Sequence, residues 1–595
     1  MKKIKLFLLA LLVSGGAAHA QYFQHTYGLP NNQDVLESGV NANLAAGPQG
    51  HVMAGYTNSG IAAMNAVMVT RTDLNGNIPA VVPFFNNRYQ LFQGGVPQNT
   101  QARRLVQHNS GRILVWGDYS NAAGALSTQF FYLQLNPGGG PVFARRYTLP
   151  WGPMEVEATS MCLSPTQLNN FFVCGWARDA AGLRYPVVMC LNIATGAIVW
   201  SSQYAAPPGS DWTAMDIVES PYPTSSGVPD LALVGHLRLP GAPVENGCFF
   251  TVSSTTGANT SPINTYGTPV DNSGLDAIEI SANGFGCPPG FVAGGYSFNP
   301  ATGNNDFWAL KFDPPGVAIG FSTLVDYSIV GNNDEAYDII ERFSMVNGFE
   351  YYLGGVTANG IFGATDAVVN KLDFSGVPVP AGGEFTYGGP GFESAAQLDQ
   401  YNGLGPNNDG LSMYGNTMWS FPLGANDFYL VKAYFNGVTA CNYNVVAPPW
   451  MPGPMFNGPH PPMIVANLVW ANLTINVAPM QDFQICFMPV VGGGSNARIA
   501  PDDQSASSLP GTELFPNPVS RDHAVVSLLF EAPAAGEVQL ELWNTIGQLV
   551  WKKQAALADG QAQLQVELGD ELEAGVYLLK VRHGENVSTH RIAVK

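Results

Sequence analysis

Short runs in which apolar and polar residues alternate fill most of the chain, and Gly, Asn and Pro separate the runs. The stretch 291–313 shows the unit: an apolar run ends on Gly294-Gly295-Tyr296, a polar loop follows, and alternation resumes from Phe307 to Asp313. Alternation with a period of two predicts β-strands, and the intervening residues are typical of turns. The first prediction is therefore an all-β protein.

The unit recurs along the chain. A glycine that ends its second apolar run returns at intervals of 62, 58 and then four times 60 residues. These glycines are Gly55, Gly117, Gly175, Gly235, Gly295, Gly355 and Gly415. Each copy contains about four strand-like runs, which predict one antiparallel sheet. Seven copies with so regular a period indicate a stacked or radial repeat.

Seven such sheets must cover one another's faces and edges, and radial closure into a propeller achieves this. A β-solenoid is the alternative, but its coils are normally shorter. An additional aromatic run near Tyr27-Gly28 precedes the first copy. We expect this run to pair with the last sheet and so to close the circle.

The motifs MAGYT, AGGYS and LGGVT, each followed by a strand and a Gly turn, resemble the repeats of secreted bacterial seven-bladed β-propellers. The resemblance covers roughly residues 22–445, and we assign 21–445 to the propeller. Blades 2 to 4 depart from the Leu-Asp ending, with Leu135-Asn136, Leu191-Asn192 and Ser253 in its place. The resemblance implies a fold and carries little information on function.

Composition narrows the class of protein. Hydrophobic residues make up 46% and charged residues 12% of the chain, which argues against disorder. The net charge of −19 excludes the basic surface that nucleic-acid binding requires. An acidic surface fits solubility first and calcium binding second.

The N-terminal segment, residues 1–20, predicts a secretory signal peptide. Three lysines precede an apolar run, and Ala18-His19-Ala20 forms an A-x-A-like cleavage site before Gln21. We expect cleavage between Ala20 and Gln21. No other stretch approaches the ~20 apolar residues of a membrane span, so no transmembrane segment is predicted.

A different segment follows the propeller. Residues 446–490 combine a Pro-rich loop (448–462) with two predicted strands (464–477 and 483–488), and we expect a β-extension packed on the propeller or an outer strand of its final blade. Cys441 and Cys486 bracket this segment and are the first disulfide to expect; closing so long a loop stabilises by about 3 to 4 kcal/mol. Residues 491–512 read as a linker.

Two further disulfide expectations concern the other cysteines. One adjacent pair among Cys162, Cys174 and Cys190 could bond, and Cys248 could bridge to Cys287. The alternative is that the strand cysteines are small buried apolar residues.

Residues 513–595 predict a small immunoglobulin-like sandwich of about seven short strands. The opening Pro516-Asn517-Pro518, the motif containing Gly575 and Tyr577, and the basic last strand resemble the type IX secretion C-terminal sorting domain. That resemblance implies recognition by the type IX secretion machinery, usual removal of the domain after export, and a product that is secreted or attached to the outer cell surface.

Repeated polar residues are the candidate sites. Asp306, Asp366 and Asp427 precede the third strands, and they are calcium candidates or, more simply, acceptors for the backbone of their own turns. The acids Asp276, Glu335 and Glu393 begin first strands, which line the channel of a propeller. They could bind a cation or act as an acid/base pair, or, more simply, be one repeated acid that stabilises each blade. Lys311, Lys371 and Lys432 recur with them and could balance their charge. No cofactor is predicted, with calcium the one candidate, and no catalytic residue is assigned.

Three functions fit these observations. The first is a non-catalytic exported scaffold for binding or adhesion, whose ligand is a surface or extracellular glycan or protein. The second is an extracellular enzyme acting on polysaccharide or protein, for which a pocket with two facing carboxylates, or a histidine beside a carboxylate, would count. The third is a structural component of a surface layer.

Overall fold

The structure, a computed structural model, comprises two compact units, residues 1–494 and 495–595. It describes the backbone of residues 22–488 with gaps and of seven strands within 513–594. The gaps in the first range are 29–31, 43–49, 80–82, 123–124, 224–228, 326–332, 345–346, 359–364, 380–383, 389–391, 402–409, 419–425, 436–442, 447–449, 453–455, 461–462, 467–468 and 480. The predicted signal peptide, Ala20, Gln21, Cys441 and Pro516 to Pro518 lie outside the described residues.

The N-terminal unit is all-β, and its strands fall into seven successive groups that we call repeat units 1 to 7. The first strand of the chain and those of units 1 and 2 are β1 (Tyr22–Gly28), β2 (Asp34–Ala42), β3 (Gly50–Thr57), β4 (Ala66–Asp73), β5 (Phe85–Gln93), β6 (Val96–Pro97), β7 (Asn99–Gln107), β8 (Ile113–Ser120), β9 (Gln129–Leu135) and β10 (Pro141–Thr148). A short 3₁₀ turn (Ile61–Ala63) follows β3.

Units 3 and 4 show the same order, although the first strand of unit 4 is divided in two. Their strands are β11 (Glu155–Leu163), β12 (Asn170–Arg178), β13 (Arg184–Asn192), β14 (Ile198–Ala205), β15 (Asp211–Trp212), β16 (Asp216–Pro223), β17 (Pro229–Arg238), β18 (Asn246–Ser253) and β19 (Ile263–Tyr266).

Units 5 to 7 complete the series, and unit 7 has three strands of its own. These strands are β20 (Ser273–Ser281), β21 (Gly290–Asn299), β22 (Asn304–Phe312), β23 (Ile319–Val325), β24 (Asp334–Ser344), β25 (Gly348–Ala358), β26 (Thr365–Leu372), β27 (Glu384–Tyr387), β28 (Glu393–Tyr401), β29 (Gly410–Thr417) and β30 (Asp427–Tyr434).

The N-terminal strand β1 supplies the missing fourth strand of unit 7. It pairs antiparallel with β30, placing His25 opposite Leu430 and Tyr27 opposite Phe428. The pairing predicted for the run near Tyr27-Gly28 is thereby confirmed.

Each unit packs against the next through its first strand, and the last packs against the first. Contacts join β2 to β7, β7 to β11, β11 to β16, β16 to β20, β20 to β24, β24 to β28 and β28 back to β2. The apolar clusters lie between successive units, so central strands such as β8 are buried on both faces. The order of contacts is therefore cyclic.

The recurring glycine marks a β-bulge. In unit 5 the pairing of β20 with β21 shifts between Leu275 and Ala277, and Gly295 lies opposite Leu275. The bulge brings a carbonyl of the first strand onto the glycine: a Cβ at Gly295 would lie 2.1 Å from the Gly274 carbonyl oxygen. The other six glycines face a first-strand carbonyl in the same way, at 1.8 to 2.4 Å from such a Cβ. Only glycine fits that place.

A buried hydroxyl ties the fourth strand of one unit to the next unit. Tyr147 donates to the carbonyl oxygen of Gly196 at 2.7 Å, where Gly196 occupies a turn with φ +64°. The equivalent bonds join Tyr27 to Gly76, Tyr89 to Gly139, Tyr204 to Gly257, and Tyr266 to Gly316. In unit 5 the Thr323 hydroxyl takes the role and reaches Gly376 at 2.8 Å.

The segment 443–488, which we call the belt, contributes the outermost strand to every unit. Its strands are β31 (Tyr443–Val446), β32 (Trp450–Pro452), β33 (Phe456–His460), β34 (Met463–Ala466), β35 (Val469–Pro479) and β36 (Gln481–Met488). They pair in turn with units 6, 5, 4 and 3, then with both 2 and 1 through β35, and finally with unit 7. The belt therefore visits the units in the reverse of their chain order.

The expectation of loop throughout 448–462 is wrong, because β32 and β33 lie there. Pro452 is opposite Thr323 and Pro459 is opposite Asn264 at the outer margins of their sheets. A proline lacks an N–H, and an outermost strand leaves alternate N–H positions unused, so proline is tolerated at this edge.

The C-terminal unit contains two described sheets. One has the order β37–β38–β41 and the other β40–β39–β42–β43. The strands are β37 (Glu513–Phe515), β38 (Val525–Leu529), β39 (Gly536–Asn544), β40 (Leu549–Leu557), β41 (Gln563–Glu567), β42 (Gly575–His583) and β43 (Asn586–Val594). Gly575 begins β42, and Tyr577 is buried opposite Asn544 and Ile592. In the described part of the chain, no helix has the length and apolar character of a membrane span.

Candidate functional site

The β-bulges of the first strands build a cavity of about 350 Å³ in the N-terminal unit. In each bulge one residue has no partner on the second strand, and it lies between the two residues at which the pairing shifts. Met215 holds the corresponding place between β15 and β16. All seven line the cavity: Glu37, Arg103, Thr159, Met215, Asp276, Tyr337 and Ala396. We call it the central cavity.

Arg103 is fixed in place by three acceptors. Its guanidinium lies 3.0 Å from Glu37 Oε1 and 3.0 Å from Asp118 Oδ2, and it donates to Gln101 Oε1 at 2.7 Å. Burial opposes the charge of Arg103, but the two carboxylates outweigh burial and raise its pKa. The cation is thus held in one geometry across units 1 and 2.

Glu37 is the carboxyl whose ionisation the cavity changes most clearly. Desolvation raises its pKa to about 7, against the lowering effect of Arg103, although 25% of its side chain remains exposed. Its neighbour Glu157 also has a raised pKa, again through burial. Protons therefore remain on these carboxyls at a pH where free carboxyls have released them.

On the opposite side, Tyr337 presents an aromatic ring to the cavity. It is 37% exposed, and its hydroxyl donates to Glu335 Oε2 at 3.0 Å. Burial raises the pKa of Glu335, and the negative charge of Asp276 raises it further.

His236 and Asp276 form a histidine–carboxylate pair at the cavity wall. Nε2 lies 2.9 Å from Asp276 Oδ1, and Nδ1 lies 3.9 Å from Glu245 Oε2. Burial lowers the pKa of His236, but Asp276 outweighs burial and the net pKa is raised. A carboxylate faces each ring nitrogen, which favours the protonated form of His236.

Further along the first strands, buried acids accept backbone N–H groups from the neighbouring unit. Asp338 accepts from Leu398 N at 2.7 Å, and Asp399 accepts from Asn41 N at 2.6 Å. Desolvation raises the pKa of Asp338 to about 7 and that of Asp399 to about 6. Glu279, which accepts from Ile280 N, has a pKa of about 8 for the same reason. Asp338 and Asp399 thus join neighbouring units, whereas Glu279 binds the backbone of its own strand.

Of the three acids predicted to line the channel, two lie at the central cavity and one does not. Asp276 lines the central cavity and Glu335 adjoins it, whereas Glu393 is buried and accepts from the Thr417 hydroxyl at 2.9 Å. The charge balance expected from the lysines is wrong, because the third strand lies away from the first. Instead, Lys311 Nζ contacts Cys287 Sγ at 3.2 Å, Lys371 Nζ lies 2.8 Å from Glu350, and Lys432 donates to Leu74 O at 3.1 Å.

The calcium candidates lie apart, in units 5, 6 and 7, and all three are buried. Asp306 accepts from the side-chain amides of Asn299 at 2.6 Å and Asn304 at 3.0 Å, both in its own hairpin. Asp366 is the second residue of β26, and Asp427 is the first residue of β30. Among the residues that the structure describes, no group of three or more His, Cys, Asp or Glu could hold a metal.

The disulfides expected among strand cysteines are wrong. Cys162, Cys174, Cys190, Cys248 and Cys287 are free thiols. On β11 to β13 the cysteines are offset by two positions: Cys174 faces Ser160 and Val188, while Cys162 and Cys190 flank Phe172. Diagonal neighbours are about 7 to 8 Å apart, beyond the usual span of a disulfide. The pairing of Cys441 with Cys486 stays a prediction, since it lies outside the described side chains.

Sequence analysis missed Arg103, Thr159 and Tyr337. The bulged residue precedes the repeat glycine by 14 to 20 residues, because the hairpin between the first two strands varies in length. The bulged residue therefore could not be located by counting a fixed number of residues from the glycine. The usable signal is the first strand itself, where one extra residue interrupts the alternation.

Comparison with known proteins shows where the protein is located. Residues 513–595 match the family model of the secretion system C-terminal sorting domain. The protein is secreted or attached to the outer cell surface. Its sorting tail implies the type IX secretion machinery as a partner. A search of the curated proteins finds no match to this chain.

Two solved structures resemble the chain only loosely. PorZ, a surface component of the type IX secretion system of Porphyromonas gingivalis, is 10% identical with a TM-score of 0.21, over 94% of this chain and 81% of PorZ. The rhamnogalacturonan lyase PL11 of Bacillus licheniformis is 10% identical with a TM-score of 0.26, over 73% of this chain and 90% of the lyase. Scores this low carry no conclusion about this protein.

Proposed function

We propose that this protein is an exported seven-bladed β-propeller that binds its ligand without catalysis at the central cavity. In this proposal residues 1–20 direct export and are removed before Gln21. The C-terminal unit is an immunoglobulin-like sandwich that delivers the propeller to the surface. The ligand is a glycan or a protein segment outside the cell.

The cyclic order of contacts supports the propeller. Four-stranded units that each pack on the next, with unit 7 returning to unit 1, satisfy the faces of every sheet. The pairing of β1 with β30 supports closure, since the two ends of the repeat region meet in one sheet. An outer belt strand on each unit is consistent with edges that are covered rather than free.

One observation carries the binding role: seven different side chains, one from each unit, converge on a single cavity. Their positions are fixed by β-bulges on rigid strands, and Arg103 and Tyr337 are each held by a hydrogen bond to a carboxylate. A preorganised polar pocket loses little freedom when a ligand enters, which favours binding. Arg103 is engaged with Glu37 and Asp118, and Arg104 lies 4.0 Å from Asp216, which favours recognition over turnover.

The proposal is tested with the processed chain and two substitutions on one strand. Tyr337 and Phe343 both lie on β24 and are both exposed, but only Tyr337 lines the cavity. The wild type is screened on an array of bacterial surface glycans and peptides, and each hit is titrated calorimetrically. We expect Tyr337→Ala to weaken binding at least tenfold and Phe343→Ala to leave it unchanged. Binding lost in Phe343→Ala alone, or no hit at all, would refute the cavity as the site.

A second candidate is an extracellular enzyme acting on polysaccharide or protein, and the His236–Asp276 pair favours it. The imidazolium could protonate a leaving group from the cavity wall. The discriminating measurement is release of reducing ends or of new amino termini from such polymers. Turnover that disappears in His236→Gln and persists in Phe343→Ala would establish the enzyme and displace the binding scaffold.

A further inference from the structure

A lysine and a cysteine meet in unit 5, away from the central cavity. Lys311 lies on β22 and Cys287 lies in the loop between β20 and β21. Lys311 Nζ is 3.2 Å from Cys287 Sγ and 3.5 Å from the carbonyl oxygen of Pro288. Lys311 is fully buried and Cys287 is 6% exposed. The amine is thus confined against the sulfur of a residue that keeps a small exposed fraction.

The equivalent lysines of the next two units have ordinary partners. Lys371 pairs with the carboxylate of Glu350, and Lys432 donates to a backbone carbonyl. Within the described residues, Lys311 has no carboxylate among its ion-pair partners, and a thiol takes that place. What sets Lys311 apart from Lys371 and Lys432, among the contacts of the described residues, is that its amine lies against a thiol, a group that oxidation can make reactive.

We propose that Cys287 and Lys311 are the two halves of an oxidative crosslink that forms outside the cell. The approach of 3.2 Å lies within the roughly 3 to 3.5 Å at which bound groups react, so the ordinarily slow condensation has both reactants already in place. The surroundings of a secreted protein are oxidising, and sulfenic acids condense with nitrogen nucleophiles.

The chemistry takes two steps, with hydrogen peroxide as the oxidant. In the first, the Cys287 thiol attacks one peroxide oxygen, and the O–O bond breaks. The products are Cys287–SOH and water, so sulfur is oxidised by two electrons and the peroxide is reduced. In the second, the neutral amine of Lys311, its ammonium proton having passed to solvent, attacks sulfur. The S–N bond forms, the S–O bond breaks, and the hydroxyl leaves with an amine proton as water. Thiol, amine and peroxide thus give a sulfenamide and two waters.

The bond would fasten the loop around Cys287 to the third strand of unit 5. Gly320 on β23 shows how closely this loop already packs: a Cβ there would lie 3.1 Å from Cys287 Sγ and 3.1 Å from the Lys311 side chain. The outcome is a staple in a protein whose described cysteines form no disulfide.

The test uses the full chain, treated with hydrogen peroxide, capped at free thiols, digested and sequenced by tandem mass spectrometry. We expect the peptides carrying Cys287 and Lys311 to appear joined, with the loss of two hydrogens, and to separate on reduction with dithiothreitol. Lys311→Arg keeps the charge but removes the nucleophile, and here dimedone should trap Cys287 as the sulfenic acid. Cys174 and Cys190, whose thiol pKa burial raises to about 12, serve as unreactive internal controls.

Two results would overturn the proposal. One is a wild-type chain in which Cys287 survives peroxide as a free thiol or becomes sulfinic acid without a joined peptide. The other is a joined pair carrying an extra oxygen, which would replace the direct S–N bond. Should Lys311→Arg fail to fold, the fragment ions of the wild-type pair still assign the linked residues, so the decision stands on the wild type alone.

Discussion

The Tyr27 hydroxyl donates to the carbonyl oxygen of Gly76 at 2.6 Å. Tyr27 lies on β1, which belongs to the sheet of unit 7, and Gly76 lies in unit 1, so the bond joins the last unit to the first. Tyr204 makes the same bond to Gly257 at 2.7 Å between units 3 and 4, which are also joined by continuous chain. The two bonds are chemically matched. They differ in that β1 precedes all the repeat units and is followed by no other strand of unit 7.

We predict that Tyr27→Phe lowers stability by about 1 to 3 kcal/mol, because the buried carbonyl of Gly76 loses its donor. Tyr204→Phe, the matched control, should cost a similar amount. Only Tyr27→Phe should also raise hydrogen exchange in β1, since the chain continues from that strand into unit 1 and no hairpin joins it to β30. The measurements are thermal unfolding and exchange mass spectrometry. Equal exchange of residues 22–28 in both variants would show that this bond does not hold the closure.

The bulge explains why the repeat glycine tolerates no side chain. At Gly295 a Cβ would meet a backbone carbonyl at 2.1 Å, whereas at Gly284 the nearest atom lies at 3.9 Å. Gly295→Ala should therefore destabilise by more than about 2 kcal/mol, and Gly284→Ala should change stability by less than about 0.5 kcal/mol. Thermal unfolding of both variants checks this. Wild-type stability in Gly295→Ala would mean that the first strand can shift without cost.

Glu279 should make stability depend on pH. Its folded pKa of about 8 lies above the unfolded value of 4.5, so between these values the folded state retains a proton that the unfolded state has released. Stability therefore falls as the pH rises through this window. Glu279→Gln should remove that fall in stability. The free energy of unfolding of the variant, compared with that of the wild type, should therefore be most favourable at pH 8.

Glu350→Gln is a matched comparison for that experiment, because the pKa of Glu350 is shifted in the opposite direction from that of Glu279. Burial raises the pKa of Glu350, but the hydrogen bonds from Lys371, Asn347 and Tyr352 and the charge of Lys371 together outweigh burial and lower it. Its stabilisation is therefore present above the unfolded pKa and is lost on acidification. Glu350→Gln should thus be most destabilised at neutral pH. Urea unfolding from about pH 3 to pH 8 covers both windows, the loss at low pH for Glu350 and the loss toward pH 8 for Glu279. Parallel pH profiles of Glu279→Gln and the wild type would contradict the assignment.

Local chemistry that repeats at a fixed distance could be predicted from the sequence. The glycine opposite each bulge is such a signal, and so is the aromatic strand that pairs with β30, because its residues match the fourth strands of the other units. The sorting tail belongs with these, since its motifs are contiguous in sequence.

Features set by distant partners could not be predicted in this way. Arg103 was missed because its role depends on Glu37 and Asp118, which lie on other strands. Pro459 suggested a loop, and only the adjacent strand β19 shows that it lies at an unoccupied edge. The pairing of Lys311 with Cys287 likewise requires the loop to fold back on the third strand.

The belt yields the last prediction, which compares two truncations. A chain ending after residue 435 loses the belt and the sorting tail, whereas a chain ending after residue 490 loses the tail alone. Without the belt, strands such as β14 and β19 present unpaired N–H and C=O groups to solvent, and open edges of this kind pair with other chains. We expect the shorter chain to associate and to exchange amide hydrogens faster in its outer strands, while inner strands such as β11 stay protected. Light scattering and exchange mass spectrometry measure this. The chain ending at 490 should remain dispersed; if both truncations behave alike, the belt does not protect the edges.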